Sequence, residues 1–551
     1  MRLKQYLILM FLFSFAYGFS QPQDMYVVTF TDKNNSSHIV SKPETFLSSK
    51  AIEKRMRLNI PITEEDLPIN ENYIDFLKTF SAIKIVTQSK WMNYVVITCN
   101  NQLLLETLKY ITFINKITQL HEIDYNNLDI QFTDRNYSFF NQLETFHDTT
   151  GLAYYGEAAK QIGIHNGHYL HQLGYKGDNM LIVMLDNGYN SLDTLEFFSD
   201  FFQSNRFLGT HDAANEENYN IYRDGTHGTM VLSTMALNRP YTYVGTAPHA
   251  DYFLIRTEMS YYEDISEEYY WAAGAEFADS LGADVVNSSL GYTTFDIGEQ
   301  NHTFSDLNGK RSVASIAASK LAQKGCIVSI SAGNQGDKYW RYISVPADAP
   351  DALCVAAMNT DSIVASFSSI GHATFDYVKP DITSVGWNTA YCTIYDTLSK
   401  GNGTSFAAPI ISGLSACLWQ AFPKKSSLEI MEAIRQSSHL YNHSDSSYGY
   451  GIPDFRKAYR MLSENSTNEM TDNHIVIIYP NPTSDYIYIK TFQETPDFTF
   501  IISDINGRKL SEHRSYKQTF SLDVSNLANG IYFITVKQAN NPSTVRKFIK
   551  N

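Results

Sequence analysis

Short apolar runs interleaved with helical patterns are the feature that most constrains how this chain can fold. Five such runs lie at residues 180–185, 252–256, 283–287, 325–330 and 353–358. Helical patterns of apolar residues lie near 158–173, 227–237, 266–281 and 310–323, and three more close the region at 404–420, 426–437 and 453–462. Strands that are apolar throughout are buried on both faces. The sequence therefore predicts an α/β domain in which helices cover both faces of a mainly parallel sheet.

Three polar residues stand at the ends of these elements. Asp186 follows the first apolar run, His227 begins a helical pattern, and Ser405 lies in Gly-Thr-Ser-Phe-Ala-Ala-Pro at 403–409. Open α/β sheets place their sites at the carboxyl ends of strands, where Asp186 stands. A serine in the first turn of a buried helix lies beside the positive end of the helix dipole, which favours a developing oxyanion. Each residue alone also has an ordinary interpretation, as a turn residue, a packing histidine or a helix N-cap.

The order of these three residues resembles that of the subtilisin-like serine proteases, with gaps of 41 and 178 residues between them. Three further segments resemble the same family: Val-Gly-Thr-Ala-Pro at 244–248, Asn-Ser-Ser-Leu-Gly at 287–291 and Ser-Ala-Gly-Asn at 331–334. The resemblance covers residues 150–465. It departs in one place, because the family usually has Ser or Thr after the aspartate and this chain has Asn187. That difference puts a supporting hydrogen bond in doubt, but not the three matched residues themselves.

The resemblance implies a role for each matched residue. Ser405 would attack the peptide carbonyl, His227 would carry the proton to the leaving amine, and Asp186 would orient the imidazole. The side-chain amide of Asn334 and the N–H of Ser405 would bind the oxyanion. The resemblance places the substrate against two short segments, consisting of Ser289, Leu290, Gly291, Ala332 and Gly333. None of these side chains is charged, so they demand no acidic or basic side chain from the substrate.

The first 150 residues precede this resemblance and divide into two parts. Residues 1–20 are predicted to be a signal peptide, because Arg2 and Lys4 precede a mostly apolar core too short to span a bilayer. Residues 21–150 are predicted to form a small α+β unit, with strands at 25–30, 83–87, 93–98 and 113–120 and helices at 43–58, 69–79 and 103–110. Subtilisin-like enzymes commonly carry such a pro-domain as an intramolecular inhibitor. We place its cleavage junction near 134–141; a permanent accessory domain is the alternative.

The pattern changes again after the catalytic region, which we assign to residues 151–462. Residues 463–473 are polar, lack periodicity and are predicted to be a linker. Residues 474–551 contain short strands separated by turns, which predicts a small β-sandwich.

The sequence of this last segment resembles the C-terminal sorting domain of proteins exported by the type IX secretion system. The matching pieces are Tyr-Pro-Asn-Pro-Thr at 479–483, Asp-Ile-Asn-Gly-Arg at 504–508, Asn-Gly-Ile-Tyr at 529–532 and Lys-Phe-Ile at 547–549. The resemblance implies that the type IX machinery is a partner, and that the protein is exported across an outer membrane and is secreted or attached to the cell surface. A sugar- or protein-binding sandwich is the alternative, since the fold alone does not separate the two.

Charge, hydropathy and cysteine content exclude several other classes of function. The net charge of −15 argues against a nucleic-acid partner, and no run after the first 20 residues approaches the length of a transmembrane span. The five cysteines lack metal-binding spacing. Cys326, Cys354 and Cys417 are expected in the core, although one or two disulfides are the alternative. No metal site and no required cofactor are predicted, and structural calcium, which family members often bind, is left open.

Several titratable residues outside these segments are expected to be structural or solvated. Three histidines recur at three-residue intervals, which drift around a helix and converge poorly on a metal ion: His165, His168 and His171. The acidic groups at 64–66 and at Glu267 and Glu268 are expected to be solvated. His211 and Asp212 are expected in a polar loop.

These features predict a secreted serine endopeptidase that hydrolyses protein or peptide substrates through an Asp-His-Ser triad and an acyl-enzyme intermediate. One alternative is a catalytically silent surface binding protein on the same fold, against which the intact triad and Asn334 argue. Another is a hydrolase of small esters, against which the segment 289–291, expected to pair with a substrate backbone, argues.

Overall fold

The computed structural model describes residues 24–121, 151–215, 220–259, 263–372, 375–468 and, with short gaps, 476–550. The chain divides into two compact units, Met1–Tyr459 and Arg460–Asn551. The first unit is built around a four-stranded antiparallel sheet and a seven-stranded parallel sheet, and the second contains two antiparallel sheets. The predicted signal peptide and the predicted cleavage junction near 134–141 lie outside the described residues.

The N-terminal part of the first unit is an α+β layer with strand order β2-β3-β1-β4. Its elements are β1 (Met25–Phe30), α1 (Ser49–Arg57), α2 (Glu71–Lys78), β2 (Ile83–Ser89), β3 (Tyr94–Cys99), α3 (Gln102–Leu108) and β4 (Ile114–His121). The helix predicted from residue 43 begins only at Ser49, because the Ser48 side chain caps it by accepting the N–H of Ala51. A short 3-10 turn, Pro43–Thr45, precedes it.

The rest of the first unit is a three-layer α/β domain, which confirms the predicted fold class. Its elements are α4 (Ala159–Gly163), α5 (His168–Gln172), β5 (Leu181–Asp186), α6 (Ser199–Gln203), β6 (Phe207–Asp212), α7 (His227–Ala236), β7 (Asn238–Arg239), β8 (Tyr243–Val244), β9 (Asp251–Arg256), α8 (Ser266–Leu281), β10 (Val285–Ser288), α9 (Val313–Gln323), β11 (Ile327–Ser331), β12 (Leu353–Met358), β13 (Ile382–Val385), β14 (Thr389–Cys392), β15 (Leu398–Gly401), α10 (Thr404–Ala421) and α11 (Ser427–Ser437). The last helix, α12 (Phe455–Asn468), spans the boundary between the two units at Tyr459.

The large sheet has the strand order β13-β12-β11-β10-β5-β9-β6, and every pair in it is parallel. Its central strands are buried on both faces, as parallel strands between helical layers must be. The long helix α10 packs across β10 to β13 on one face. On the other face, helices α8 and α9 contribute Trp271 and Leu321, respectively, to the apolar core.

The N-terminal layer packs against helix α8 through buried charged groups. Arg55, 1% exposed, donates from Nη2 to both carboxylate oxygens of Asp279 at 2.9 Å. The buried carboxylate of Glu276 accepts the backbone N–H groups of Lys90 and Trp91 at 2.6 and 3.1 Å. These contacts desolvate ionic groups of both partners, so the two layers are held by complementary charge as well as by apolar area.

The second compact unit contains two antiparallel sheets, in the orders β16-β17-β20 and β19-β18-β21-β22. Their strands are β16 (Val476–Tyr479), β17 (Tyr486–Thr491), β18 (Phe498–Ser503), β19 (Lys509–Ser515), β20 (Thr519–Asp523), β21 (Gly530–Gln538) and β22 (Thr544–Lys550). Inward-facing Ile487, Phe500 and Ile534 share one apolar core. The two sheets therefore bury a common core, as a sandwich does.

Three expectations about local structure are wrong. His211 and Asp212 lie in the edge strand β6, where Asp212 is buried against Arg256 at 3.0 Å, and not in a polar loop. The sequence predicted no strand in the sheet after residue 358, whereas the structure adds β13 (Ile382–Val385) beside β12. Helix α12 continues to Asn468, into the predicted linker, because its polar extension contains neither glycine nor proline to stop it.

Acidic residues expected to be solvated are instead buried in ionic contacts. Glu268 is 2% exposed and contacts His302 Nε2 at 2.5 Å. Asp66 is fully buried and accepts from Lys324 Nζ at 2.6 Å. Each partner lies far along the chain, so sequence pattern gave no sign of it.

The three histidines at three-residue intervals do not share a helix face. His165 precedes a break at Asn166, whose φ of 51° ends the first short helix, whereas His168 and His171 belong to α5. His165 contacts the carbonyl of Pro453 and the hydroxyl of Ser384. All five cysteines are free and buried.

Candidate active site

The predicted site residues come from neighbouring strands of the large sheet and from two helix N-termini. Asp186 is the last residue of β5, Ser289 follows β10, and Asn334 lies three residues after β11. Because β5, β10 and β11 are parallel neighbours, their carboxyl ends meet at one edge of the sheet. His227 begins α7 and Ser405 lies in the first turn of α10. The fold thus brings five distant segments to one edge.

Asp186 and His227 are joined by a short hydrogen bond. The distance between His227 Nδ1 and Asp186 Oδ1 is 2.7 Å, and the Asp186 side chain is fully buried while the His227 side chain is 20% exposed. Asp186 Oδ1 also accepts the N–H of Asn187 at 2.9 Å. Asp186 Oδ2 is buried and has no hydrogen-bond partner in the described structure. The carboxylate is therefore held at one oxygen.

Ser405 and Asn334 lie side by side at the start of α10. Asn334 Oδ1 accepts the backbone N–H of Thr404 at 2.9 Å and its hydroxyl at 3.1 Å. Ser405 Oγ donates to the carbonyl of Ser289 at 3.2 Å. Thr404 orients the Asn334 amide, a role that the sequence did not assign to it.

A cleft of about 510 Å³ opens over these residues. Its lining contains His227, Asn334 and Ser405 together with most of the predicted substrate-binding residues, namely Ser289, Leu290, Gly291 and Gly333. Ala332 is the exception, because it is fully buried beneath the cleft and does not line it. His227 and Ser405 therefore face the same open space.

Two carboxylates that the sequence did not single out also line this cleft, Glu258 and Glu263. Burial, with the negative charges of Glu263 and Asp186, raises the pKa of Glu258 well above its usual range. Glu258 follows β9 by two residues, at the same edge of the sheet as Asp186. Its position just after a buried strand could have marked Glu258 as a site residue. No motif in the sequence, however, linked it to the other residues of the cleft.

Family profiles match three parts of the chain, two of which overlap at residues 123–135. The subtilase family matches residues 123–451, which is more than half of the chain, and the chain belongs to that family. The peptidase S8 propeptide domain of Bacteroidota matches residues 25–135, and a secretion system C-terminal sorting domain matches residues 477–551. The resemblances to subtilisin-like proteases and to the type IX sorting domain are thereby confirmed.

Curated relatives are similar to about half of this chain. Subtilisin NAT of Bacillus subtilis subsp. natto is 28% identical over 300 residues, covering 52% of this chain and 68% of the relative. The membrane-bound transcription factor site-1 protease of Mus musculus is 26% identical over 305 residues, covering 53% of this chain and 26% of the relative.

A solved structure with the same fold is the epidermin leader peptide processing serine protease of Staphylococcus aureus. It has a TM-score of 0.53 at 16% identity and covers 80% of this chain and 99% of that chain. This likeness supports the fold, which is subtilisin-like with an N-terminal propeptide layer. Every helix in the described part of the chain is too short or too polar to cross a bilayer.

Proposed function

We propose that this subtilase is a secreted endopeptidase that cleaves peptide bonds in proteins through an acyl-enzyme intermediate. The observation that carries the proposal is the 2.7 Å hydrogen bond between His227 Nδ1 and Asp186 Oδ1, in the cleft that also contains Ser405. A carboxylate that accepts from Nδ1–H leaves Nε2 as the basic nitrogen, which a general base requires.

The side chains divide the reaction between them in two steps. Ser405 Oγ attacks the carbonyl carbon while His227 Nε2 takes its proton, and Asp186 stabilises the resulting imidazolium. The C–N bond then breaks as His227 returns the proton to the leaving amine. Water attacks the acyl-enzyme by the same route in reverse, releasing the acid and Ser405. Apart from the substrate and water, every group in these steps belongs to the chain, and the steps use no cofactor.

The oxyanion formed in each step needs donors fixed in advance. The backbone N–H of Ser405 at the start of α10 and the Nδ2 of Asn334 supply them. Ser405 Oγ must first leave the carbonyl of Ser289, to which it donates at 3.2 Å, and turn towards His227. Such contacts in a free enzyme commonly rearrange when substrate binds.

Residues 21–150 are proposed to act as a pro-domain that holds the enzyme inactive until it is cut away. The match to a propeptide profile and the buried contacts of Arg55 with Asp279 support this role. The C-terminal sorting domain is proposed to direct the protein to the type IX secretion machinery and so to the cell surface or the medium.

The test is casein hydrolysis by the purified full-length protein beside its Ser405→Ala variant, with the intact mass of each. We expect the wild type to cleave casein and to lose its N-terminal segment, and the variant to do neither. Ser444→Ala, at an exposed serine remote in sequence from the cleft residues, is the matched control and should behave as the wild type. Equal behaviour of wild type and Ser405→Ala would instead favour the silent binding protein.

A further inference from the structure

A buried arginine lies beside Asp186 and takes no direct part in the steps of the proposed reaction. Arg256 ends β9, is 3% exposed and stands opposite Asp186 in the parallel pairing of β5 with β9. Its Nε donates to Asp212 Oδ2 at 3.0 Å, and its Nη1 donates to Asp224 Oδ2 at 2.5 Å. A buried cation costs free energy unless it is paired, and the planar guanidinium here joins two carboxylates from separate segments.

Asp224 connects this arginine to the turn that leads into helix α7. While its Oδ2 accepts from Arg256, its Oδ1 accepts the N–H of Gly225 at 2.9 Å. Gly225 has a φ of 55°, which lets the chain turn sharply, and His227 begins α7 two residues later. The Asp224 carboxylate therefore joins the turn before His227 to the end of β9.

The same turn packs closely against the segment that follows Asp186. A Cβ added to Gly188 would come closer than 3.0 Å to the carbonyl oxygen of Asp224. The Gly188 carbonyl in turn accepts the N–H of Gly228 at 3.1 Å. Because Gly188 lies two residues after Asp186 and Gly228 directly follows His227, a shift of this turn would change the distance between His227 Nδ1 and Asp186 Oδ1.

We propose that Arg256 is a positioning residue for the proposed peptidase reaction. By holding Asp224, it fixes the turn from which His227 reaches Asp186 on one side and Ser405 on the other. Arg256 is not among the described residues that line the cleft, so it acts through His227 and not on the substrate. The inference rests on the proposed function, because it concerns the geometry of the same three side chains.

The expected effect is on the chemical step and not on substrate binding. The segments proposed to hold the substrate follow β10 and β11, whereas Arg256 ends β9. A misplaced base slows proton transfer in the transition state, which lowers kcat and kcat/KM together and leaves KM nearly unchanged. A displacement of about 1 Å at such a group can cost about 10²-fold in rate.

Two conservative variants weaken the contact between Arg256 and Asp224. Asp224→Asn places an NH₂ group where one of two acceptor oxygens stands, so Arg256 and the Gly225 N–H cannot both be satisfied. Arg256→Lys keeps the positive charge but lacks the rigid fork that reaches Asp212 and Asp224 together. We expect each variant to lower kcat by about 10-fold or more, with KM within about 2-fold of the wild type.

Arg206→Lys is the matched control, because Arg206 is a buried arginine at the opposite end of α7. It is 7% exposed, donates from Nη1 to the carbonyl of Ala236 at 3.3 Å and pairs with Asp200 at 3.2 Å. Weakening these contacts should lower the melting temperature and leave kcat within about 2-fold of the wild type.

Three measurements on the full-length protein, which is left to process itself, follow the effect. Steady-state kinetics on one peptide give kcat and KM, and melting temperatures show that each variant is folded. The rate of inactivation by a sulfonyl fluoride reports the reactivity of Ser405 without a peptide substrate. We expect this rate, and the rate of self-processing followed by intact mass, to fall together with kcat in Asp224→Asn and Arg256→Lys.

The outcomes separate this inference from the proposed function. A folded Asp224→Asn variant with unchanged kcat overturns the inference alone, as does one in which only KM rises. An Arg206→Lys variant that loses as much kcat as Asp224→Asn also overturns it, because activity would then follow the general stability of α7. A wild type that cleaves no peptide and no casein overturns the peptidase assignment and this inference together.

Discussion

Thr404 holds the amide of Asn334 by two hydrogen bonds to the same oxygen, from its backbone N–H at 2.9 Å and its hydroxyl at 3.1 Å. With Oδ1 occupied, Nδ2 is directed towards Gly403 and Ser405, where a Cβ on Gly403 would lie 3.8 Å from it. The donor needed by an oxyanion is thus oriented by the residue next to the proposed nucleophile.

Replacing Thr404 by valine should lower kcat by about 10-fold with little change in KM. The loss of a whole oxyanion donor costs about 10²–10³ in kcat, and misorientation should cost less. Steady-state kinetics on one peptide substrate measure the effect. Thr404→Ser keeps the hydroxyl and should retain most of the activity. A valine variant with unchanged kcat and raised KM would show that Thr404 does not act through Asn334.

Replacing Arg55 by methionine should destabilise the uncleaved precursor by about 3–5 kcal/mol, because buried Asp279 would lose its 2.9 Å partner and, among the described residues, keep only Lys90 Nζ at 3.9 Å. Denaturant unfolding of the precursor in the Ser405→Ala background measures this. The double variant Arg55→Met/Asp279→Leu should recover a large part of the loss, since it removes both charges. Additive losses would mean that the pair does not couple the N-terminal layer to α8.

Replacing Glu267 by glutamine should make the precursor more resistant to alkaline pH. Burial, with the charges of Glu258 and Glu263, raises the pKa of Glu267 well above its usual range. The unfolded chain releases this proton near pH 4.5 but the native state retains it, so native stability falls as pH rises above 4.5 through the native pKa. Glutamine keeps the acceptor for the Met259 N–H.

The measurement is the melting temperature of Ser405→Ala and of Ser405→Ala/Glu267→Gln at several pH values from about 5 to about 9. The two curves should diverge as pH increases, with the glutamine variant the more stable. Parallel curves would show that Glu267 ionises in the native state as it does in the unfolded chain.

Buried His165 should make the protein acid-sensitive. Burial lowers the pKa of His165 to about 4. The unfolded chain binds a proton near pH 6.5, so stability is complete above that pH and is lost as pH falls towards 4, by about 3 kcal/mol for this group. The His165→Gln variant should be less stable overall. Its free energy of unfolding should, however, fall less than that of the wild type between about pH 7 and about pH 4. An unchanged pH dependence of the unfolding free energy would contradict this.

Much of the fold followed from local pattern. The strands at 180–185, 252–256 and 353–358 were found within one or two residues, because parallel strands buried on both faces are apolar without interruption. Strand β6 was missed because it lies at the sheet edge and alternates exposed and partly buried residues, one of them Gly209. Edge strands bury less area and so leave a weaker apolar signal.

The sequence by itself determined the residue types of the site, because Asp186, His227, Asn334 and Ser405 stand in segments whose order and spacing resemble one family. Only the tertiary structure decided which neighbours complete that site. Thr404 turning the amide of Asn334 and Asp279 receiving Arg55 join residues 70 and 224 positions apart. Such contacts depend on where β10, β11 and α8 meet in space, and no periodicity along the chain encodes that meeting.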